Sequence, residues 1–231
     1  MTRLSGGQPA PDGLGQDARE PEAFAPEGFA PEALAGAAIE AIFVQSGALR
    51  EGHFQLKSGR HSGRYLEKFL VLQYPDLAVE IGRRFATVLA PLDPTLVVGP
   101  TTGGVLLAFE TARQLQPLVG HTVRGVFAEP SANGGRTLRR GWLVSSADRV
   151  VLVDDILTTG ASVIETADAV RAAGGDPLAA VVIVDRSSQP LATGFPIHAL
   201  GRIQIESWAA EACDLCARGV PLEKPGSSTL G

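Results

Sequence analysis

The chain has 231 residues, a hydrophobic fraction of 45% and a formal net charge of -5, which is enough apolar sequence for one large domain, or for one domain with a tail. The acidic balance argues against a general nucleic-acid-binding protein, but it does not exclude an anionic small substrate, since backbone N–H groups can hold phosphate. The first residues contain no apolar run that could act as a signal peptide, and the longest aliphatic runs have the length of strands rather than of membrane spans.

The chain begins with a segment rich in proline, glycine and alanine, residues 1–33. This segment shows neither helical nor strand periodicity and has little apolar surface to offset the entropy of ordering, so we expect a disordered extension. Residues 34–231 are expected to form a single domain. The first predicted helix begins near Pro31 and ends before Gly47, because apolar residues recur there on one helical face.

The next predicted elements are a pair of strands and a helix. Residues 52–65, GHFQLKSGRHSGRY, alternate weakly in polarity and are punctuated by glycine, which predicts a strand, a turn and a second strand. A helix is predicted after Pro75, with Asp76 as its candidate cap. The predicted apolar side of this helix consists of Leu77, Ile81, Phe85, Val88 and Leu89.

From Leu96 onward, short apolar segments alternate with segments of helical periodicity. The predicted strands are LVVGP at 96–100, VRGVFAEP at 123–130, VVLV at 150–153 and LAAVVIVDR at 178–186. The predicted helices are 105–115 and 162–173. Continuous apolar strands that alternate with helices indicate a parallel sheet covered by helices on both faces, and therefore the α/β class.

The segment VVLVDDILTTGAS, residues 150–162, carries the most chemical information. Asp154 and Asp155 follow the four aliphatic residues, at the end of a strand where parallel sheets bind ligands. The small, hydroxyl-rich turn after them opens a helix, whose free N–H groups and dipole favour a phosphate. An ordinary capped helix accounts for each part alone but not for the whole string, and a nucleotide P-loop is excluded because GxxxxGK[ST] does not occur. The string therefore predicts a sugar-phosphate site.

VVLVDDILTTGAS resembles the phosphoribosyl-diphosphate (PRPP) signature of type I phosphoribosyltransferases. The resemblance implies a parallel-sheet core flanked by helices, a small hood over the site, and a Mg²⁺ ion bound through the substrate rather than directly by protein side chains. By match to the signature, Asp154 and Asp155 hold the ribose hydroxyls. The remaining residues implied to bind PRPP are Ile156, Leu157, Thr158, Thr159, Gly160, Ala161 and Ser162, together with Thr101, Thr102 and Gly103 near the diphosphate.

GALREGHFQLKSGRHSGRY, residues 47–65, resembles the hood of orotate phosphoribosyltransferases. Lys57 stands where that family has a substrate-facing catalytic lysine, and Thr158 and Arg186 match the family's orotate contacts. An arginine also suits a pyrimidine carboxylate, which accepts a bidentate pair of hydrogen bonds. The resemblance extends over about residues 36–230.

The orotate family resemblance implies a specific reaction and organisation. The 5-phosphoribosyl group of PRPP would pass to orotate, giving orotidine 5'-monophosphate and diphosphate in pyrimidine biosynthesis. The resemblance also implies a homodimer whose mobile loop serves the neighbouring subunit. The charge, the cysteine content and the short aliphatic runs favour a cytoplasmic protein that binds neither nucleic acid nor membrane. The implied parts are a hood at about 47–75, a core at about 95–190 and a C-terminal tail at 205–231.

Two departures from the family pattern keep alternatives open. The first half of the mobile loop, EPSAN at 129–133, carries no cation, and Arg136, Arg139 and Arg140 follow later. Arg139 and Arg140 are predicted to be the catalytic cations, although they could equally lie on a surface strand. Gly103 stands where many members have lysine. The alternatives are a purine or xanthine phosphoribosyltransferase, and a non-catalytic regulator that senses PRPP.

Both cysteines of the chain lie in the motif Cys213-x-x-Cys216. Two cysteines are too few for a disulfide framework, which favours a reducing compartment. They are also only half of a zinc site, so we expect reduced thiols unless a second subunit completes four ligands. His53 and His61 of the hood motif are expected to be structural, and the sequence leaves open whether Lys68 faces the site.

Overall fold

The computed structural model describes residues 38–56 and 58–225. The predictions made for residues 1–33 and for Lys57 fall outside these two stretches. The described chain begins with helix α1, Ile39–Gln45, whose buried side packs against the rest of the domain. None of the helices in the described stretches is long and apolar enough to cross a membrane.

The first two strands form an antiparallel hairpin of β1, Leu49–Gln55, and β2, His61–Leu66. The C-terminal segment crosses this hairpin, because the backbone of Trp208 pairs with His61 and the backbone N–H of Gln55 donates to the carbonyl of Glu223. We call the hairpin and the C-terminal segment 205–225 together the hood. The described parts of the hairpin and of the C-terminal segment therefore lie together in one small layer.

Six further strands form the central sheet. They are β3 Leu96–Pro100, β4 Arg124–Pro130, β5 Arg136–Leu138, β6 Val150–Leu157, β7 Pro177–Asp185 and β8 Ile197–Arg202. The strand order is β5-β4-β3-β6-β7-β8, and every neighbouring pair is parallel except the edge pair β4–β5. The predicted α/β class with a central parallel sheet is confirmed.

Helices cover both faces of the sheet. They are α3 Pro75–Leu89 and α4 Gly103–Val119 on one face and α5 Ala161–Ala172 on the other. The short helix α2 Phe69–Leu72 precedes α3, the short helix α6 Asp214–Ala217 belongs to the hood, and 3-10 turns occur at Ala90–Leu92 and Ala210–Ala212. Alternate residues of β6 face different helices: Val151 and Val153 belong to the hydrophobic cluster of α3 and α4, whereas Val150 and Leu152 pack with α5. This two-sided burial explains why the strand has a continuous apolar sequence.

The structure differs from the sequence prediction in several elements, and the short strand β5 and the short helices α2 and α6 were not predicted. Strand β6 continues to Leu157, so the two acids lie within the strand rather than after it. Val88 is 36% exposed, although the other four residues of the predicted apolar side of α3 are fully buried. Strand β8 was not predicted, because this half-exposed edge strand has no continuous apolar run.

Candidate active site

A crevice opens where β3 and β6 diverge at their carboxyl ends. Pairing between these two strands stops at Val98 and Leu152, whereas β6 continues to pair with β7 as far as Leu157. The connections from β3 and β6 run to opposite sides of the sheet, which is the usual position of a ligand site in such folds. A cavity of about 470 Å³ lies in this crevice. Its wall includes Tyr65, Glu67, Lys68, Thr101, Thr102, Gly103, Arg136, Asp154, Asp155, Ile156, Thr158, Ser162 and Arg186.

The floor of the crevice holds the two acids, Asp154 and Asp155, which are 4% and 3% exposed. Asp154 accepts hydrogen bonds from the Ser162 hydroxyl and from the N–H of Asp155, and Asp155 accepts one from the N–H of Ile156 at 2.7 Å. Burial and, after it, the neighbouring Asp155 carboxylate raise the pKa of Asp154 to about 6, although these hydrogen bonds and the nearby Lys68 oppose the rise. The floor is therefore an acceptor-rich surface that is costly to keep charged.

The raised pKa of Asp154 has a consequence for stability. Between the ordinary carboxyl pKa, about 4, and the native value of about 6, the folded state binds more protons than the unfolded state, so ionisation of Asp154 destabilises the fold increasingly as pH rises. Asp154→Asn is expected to raise the Tm at pH 8, with a gain that shrinks towards zero near pH 4. Thermal unfolding of both proteins at the two pH values tests this, and a gain independent of pH would contradict it.

Lys68 lies opposite the acid pair. Its Nζ is 3.0 Å from Oδ1 and 2.9 Å from Oδ2 of Asp155. The lysine stands at the beginning of α2, immediately after the hairpin, and is partly exposed, so it reaches into the crevice from the hood side. The sequence left open whether Lys68 faces the site, and the structure shows that it does. No local sequence pattern could show this, because Lys68 and Asp155 are 87 positions apart.

Gly103, the departure from the lysine pattern, contacts the acid floor closely. A Cβ atom at this position would lie 2.3 Å from Oδ2 of Asp155. A lysine at position 103 would therefore displace Asp155 from its present position. Lys68 instead supplies a cation beside the same carboxylate.

The turn after β6 presents the first turn of α5 to the crevice. Gly160 caps this helix in a left-handed conformation, with φ +77, and has no side chain of its own over the first N–H groups, of which that of Ala161 donates to the Thr159 hydroxyl at 3.4 Å. Thr158 and Ser162 line the cavity, whereas Leu157 points into the hydrophobic cluster of α5. Thr159, Gly160 and Ala161 are the remaining members of the predicted set, and they form the turn and the helix start beside the cavity.

Arg186 enters the same cavity from the end of β7. Its backbone N–H donates to the carbonyl of Leu157 at 2.8 Å, which fixes its position beside β6. The side chain is half-buried, and burial lowers the pKa of its guanidinium. No acidic side chain among residues 38–56 and 58–225 forms an ion pair with it. A half-buried cation without a counter-ion favours an anionic ligand.

Arg136 was not assigned a role in the site from the sequence, but it lines the crevice. One of its terminal nitrogens donates to the carbonyl oxygens of Thr101 and Ala128, both at 3.3 Å. Its Nε is 3.5 Å from the Glu165 carboxylate. The arginine is therefore held beside the Thr101–Thr102 loop. The only indication in the sequence was that Arg136 follows the segment 129–133, which carries no cation.

The two arginines predicted to be catalytic lie away from this crevice. Arg140 is exposed and pairs with Glu129 at 2.7 Å, and the neighbouring Arg139 is also exposed. Neither residue lines the cavity. The predicted mobile loop, 131–135, is a short turn between β4 and β5, closed by a hydrogen bond from the N–H of Ser131 to Gly135. The prediction that Arg139 and Arg140 lie in the crevice of their own chain is therefore not supported by the structure.

Comparisons with known proteins agree with this architecture. The sequence model described as "Phosphoribosyl transferase domain" matches residues 76–213. A relative from Pelotomaculum thermopropionicum, named orotate phosphoribosyltransferase, is 44% identical over 192 residues, which is 83% of this chain and 97% of that protein. A relative of the same name from Heliobacterium modesticaldum is 42% identical over 190 residues, covering 81% and 96% of the two chains.

Solved structures show the same fold. The crystal structure of orotate phosphoribosyltransferase from Aeropyrum pernix superposes with a TM-score of 0.58 at 22% identity, covering 71% of this chain and 93% of that one. The crystal structure of orotate phosphoribosyltransferase from Mycobacterium tuberculosis, in complex with Fe(III) dicitrate, also superposes with a TM-score of 0.58 at 22% identity. This match covers 72% of this chain and 96% of that one. These likenesses concern the arrangement of the helices and strands described above.

Proposed function

Since the chain belongs to the orotate phosphoribosyltransferase family, we propose that its crevice transfers the 5-phosphoribosyl group of PRPP to orotate, producing orotidine 5'-monophosphate and diphosphate. The observation that carries this proposal is the pairing, in one cavity, of the buried acids with Arg186, which has no acidic ion-pair partner among the residues that the structure describes. The acids suit the hydroxyls of a sugar, and the arginine suits the carboxylate of orotate.

The two acids and the first turn of α5 are proposed to bind different parts of the ribose phosphate. In the proposed complex, Asp154 and Asp155 accept hydrogen bonds from the ribose hydroxyls. The 5-phosphate lies against the first turn of α5, where backbone N–H groups, the helix dipole and the Thr158 and Ser162 hydroxyls favour a dianion. The sugar is thereby held between two fixed elements of the core, which reduces the entropy lost on reaching the transition state.

The opposite wall holds the leaving group and the base. Thr101, Thr102 and Arg136 lie where the diphosphate would extend from the ribose. Arg186 and Thr158 hold orotate, and Lys57 is proposed to approach from the hood. The bond from C1 to diphosphate breaks and its electron pair leaves with the oxygen, while N1 of orotate bonds to C1 and gives its proton to the departing diphosphate or to water. The negative charge of the acid floor stabilises the cationic ribose between these events.

Mg²⁺ fits this donor set when it is held mainly by the substrate. Asp154 already accepts a hydrogen bond from the Ser162 hydroxyl, and Asp155 already forms an ion pair with Lys68. Most ligands of the ion would therefore be oxygens of PRPP and of water. When bound, the ion would neutralise charge on the departing diphosphate. Arg136 adds a fixed cation on the same side of the crevice.

A direct assay tests the proposed function. Purified protein is incubated with PRPP, Mg²⁺ and orotate, and the loss of orotate absorbance is followed. Adenine, hypoxanthine and xanthine replace orotate in parallel reactions, and a chelator is added in another. Turnover with orotate alone, abolished by the chelator, supports the proposal. PRPP binding without turnover would favour a regulator, and turnover with a purine would contradict the role of Arg186.

We further propose a homodimer in which Arg139 and Arg140 act in the partner's crevice. Both side chains are exposed and lie outside the cavity of their own chain. Apolar side chains on one side of α4 are also exposed, including Phe109 at 67%, which is unusual for a large aromatic residue on a free surface. The proposal accounts for both observations with one interface.

Mixing two inactive variants tests this arrangement. Asp154→Asn/Asp155→Asn lacks the acid floor, and Arg139→Ala/Arg140→Ala lacks the exposed cations. Each alone is expected to be nearly inactive. After subunit exchange of equal amounts, half of the dimers are mixed and each contains one intact site, so activity is expected to recover to about a quarter of the wild-type value. Light scattering checks the oligomer, and mixtures as inactive as their components would contradict the shared site.

A cytoplasmic location is proposed for the enzyme. Neither cysteine forms a disulfide in the structure, which suits a reducing compartment. The acidic net charge and the absence of a spanning helix in the described residues agree with small-molecule partners. Cell fractionation followed by immunodetection would test the location.

A further inference from the structure

Four side chains that the transferase site does not use converge within the hood. His53 comes from β1, His61 begins β2, and Cys213 and Cys216 flank the start of α6. Their ligand atoms all lie within 4.8 Å of one another. The group contains both cysteines of the chain and two of its four histidines. It shares no residue with the wall of the crevice.

The distances within the cluster match a tetrahedral metal site. Nε2 of His53 is 3.1 Å from Nδ1 of His61, 3.4 Å from Sγ of Cys213 and 3.6 Å from Sγ of Cys216. Sγ of Cys216 is 3.2 Å from Nδ1 of His61. Zinc binds histidine nitrogen at about 2.0–2.1 Å and cysteine sulfur at about 2.3 Å, so its tetrahedron separates two nitrogens by about 3.3 Å and nitrogen from sulfur by about 3.6 Å.

A neighbouring carbonyl fixes the protonation of His53. Its Nδ1 is 2.8 Å from the carbonyl oxygen of Val220, which can only accept, so Nδ1 carries the proton and donates it. Nε2 therefore presents a lone pair to the two thiols and to His61. This arrangement, in which the outer nitrogen of a histidine is held by a carbonyl, is typical of metal-binding histidines.

We propose that His53, His61, Cys213 and Cys216 bind one structural Zn²⁺ ion per chain. Two sulfur and two nitrogen ligands in a tetrahedron select zinc among common metals, and four protein ligands leave no open position for catalysis. Three of the four residues are buried. The ligands come from one chain, so no second subunit is needed to complete the half-site that the sequence suggested.

The metal would join the two ends of the described chain. His53 and His61 belong to the N-terminal hairpin, whereas Cys213 and Cys216 belong to the C-terminal segment that crosses it. Backbone hydrogen bonds between His61 and Trp208 already connect the same two segments. A metal at this position closes a long loop, which stabilises the fold. It also fixes the hairpin formed by β1 and β2.

Metal analysis of the purified full-length chain tests the site. We expect about one zinc per chain after extensive dialysis, and Cys213→Ser/Cys216→Ser is expected to lose at least nine-tenths of it. His198→Asn, which changes an exposed histidine on the edge strand β8, serves as the matched control and should retain the metal. Zinc retained by the double cysteine variant, or iron in place of zinc in the wild-type protein, would overturn the proposal.

A second measurement does not depend on the folding of a variant. Wild-type protein is stripped with a chelator under reducing conditions, and Co²⁺ is then added while the visible spectrum is recorded. We expect the absorption of tetrahedral cobalt with a thiolate charge-transfer band, saturating at about one equivalent, and a Tm that falls on stripping and recovers with zinc. A metal-free wild-type protein with a Cys213–Cys216 disulfide, or cobalt bound without thiolate bands, would overturn the proposal.

Discussion

Replacing Asp154 and Asp155 together by asparagine is expected to lower kcat/KM for PRPP by on the order of 10³-fold or more, which corresponds to roughly 4 kcal/mol of lost transition-state stabilisation. The amide retains the size of the carboxylate and one acceptor oxygen, so the floor keeps its shape. It loses the negative charge that favours the cationic ribose. Because the acids are almost fully buried, water cannot replace that charge effectively.

Steady-state kinetics with PRPP varied at saturating orotate measures this loss. Asp168→Asn is the matched control, since this exposed acid lies on α5 beyond the phosphate turn and pairs only with Arg171. The control is expected to keep the wild-type rate. Circular dichroism of both variants shows whether the fold is retained. If the folded double variant reacts at the wild-type rate, the acid floor does not hold the ribose and the proposed roles of both acids fail.

Replacing Arg186 by glutamine is expected to raise KM for orotate by on the order of 10²-fold, or roughly 3 kcal/mol, because a half-buried charged pair would lose one partner. In the wild-type protein the guanidinium has no acidic partner in the described part of the chain, so it is available to the orotate carboxylate. KM for PRPP should change little, since the arginine lies at the end of β7 rather than on the phosphate turn.

The matched control for this variant is Arg202→Gln. Arg202 pairs with Asp185, the residue next to Arg186, but it lies outside the wall of the crevice. Its replacement should leave both KM values near wild type. Competition with uracil, which lacks the carboxylate, gives an independent measure, since the variant should lose most of its preference for orotate. An unchanged KM for orotate with a raised KM for PRPP would assign Arg186 to the sugar donor.

Local sequence determined the central part of this protein. Continuous apolar runs of strand length predicted β3, β7 and the first half of β6, because strands buried on both faces have mostly apolar side chains. The string from Val150 to Ser162 placed two acids and a helix start at the end of one strand, and these residues are adjacent in the chain. Polar or exposed edge strands, such as β8, carry no such pattern and were missed.

Only the tertiary structure decided which distant residues meet. The ion pair of Lys68 with Asp155 and the contact of His53 with Cys213 join residues 87 and 160 positions apart, respectively. Periodicity and spacing describe neighbours along the chain, whereas these contacts depend on strand order and on how the C-terminal segment crosses the hairpin. The sequence therefore contained both halves of the proposed zinc site, and the fold alone brought them within bonding distance of one ion.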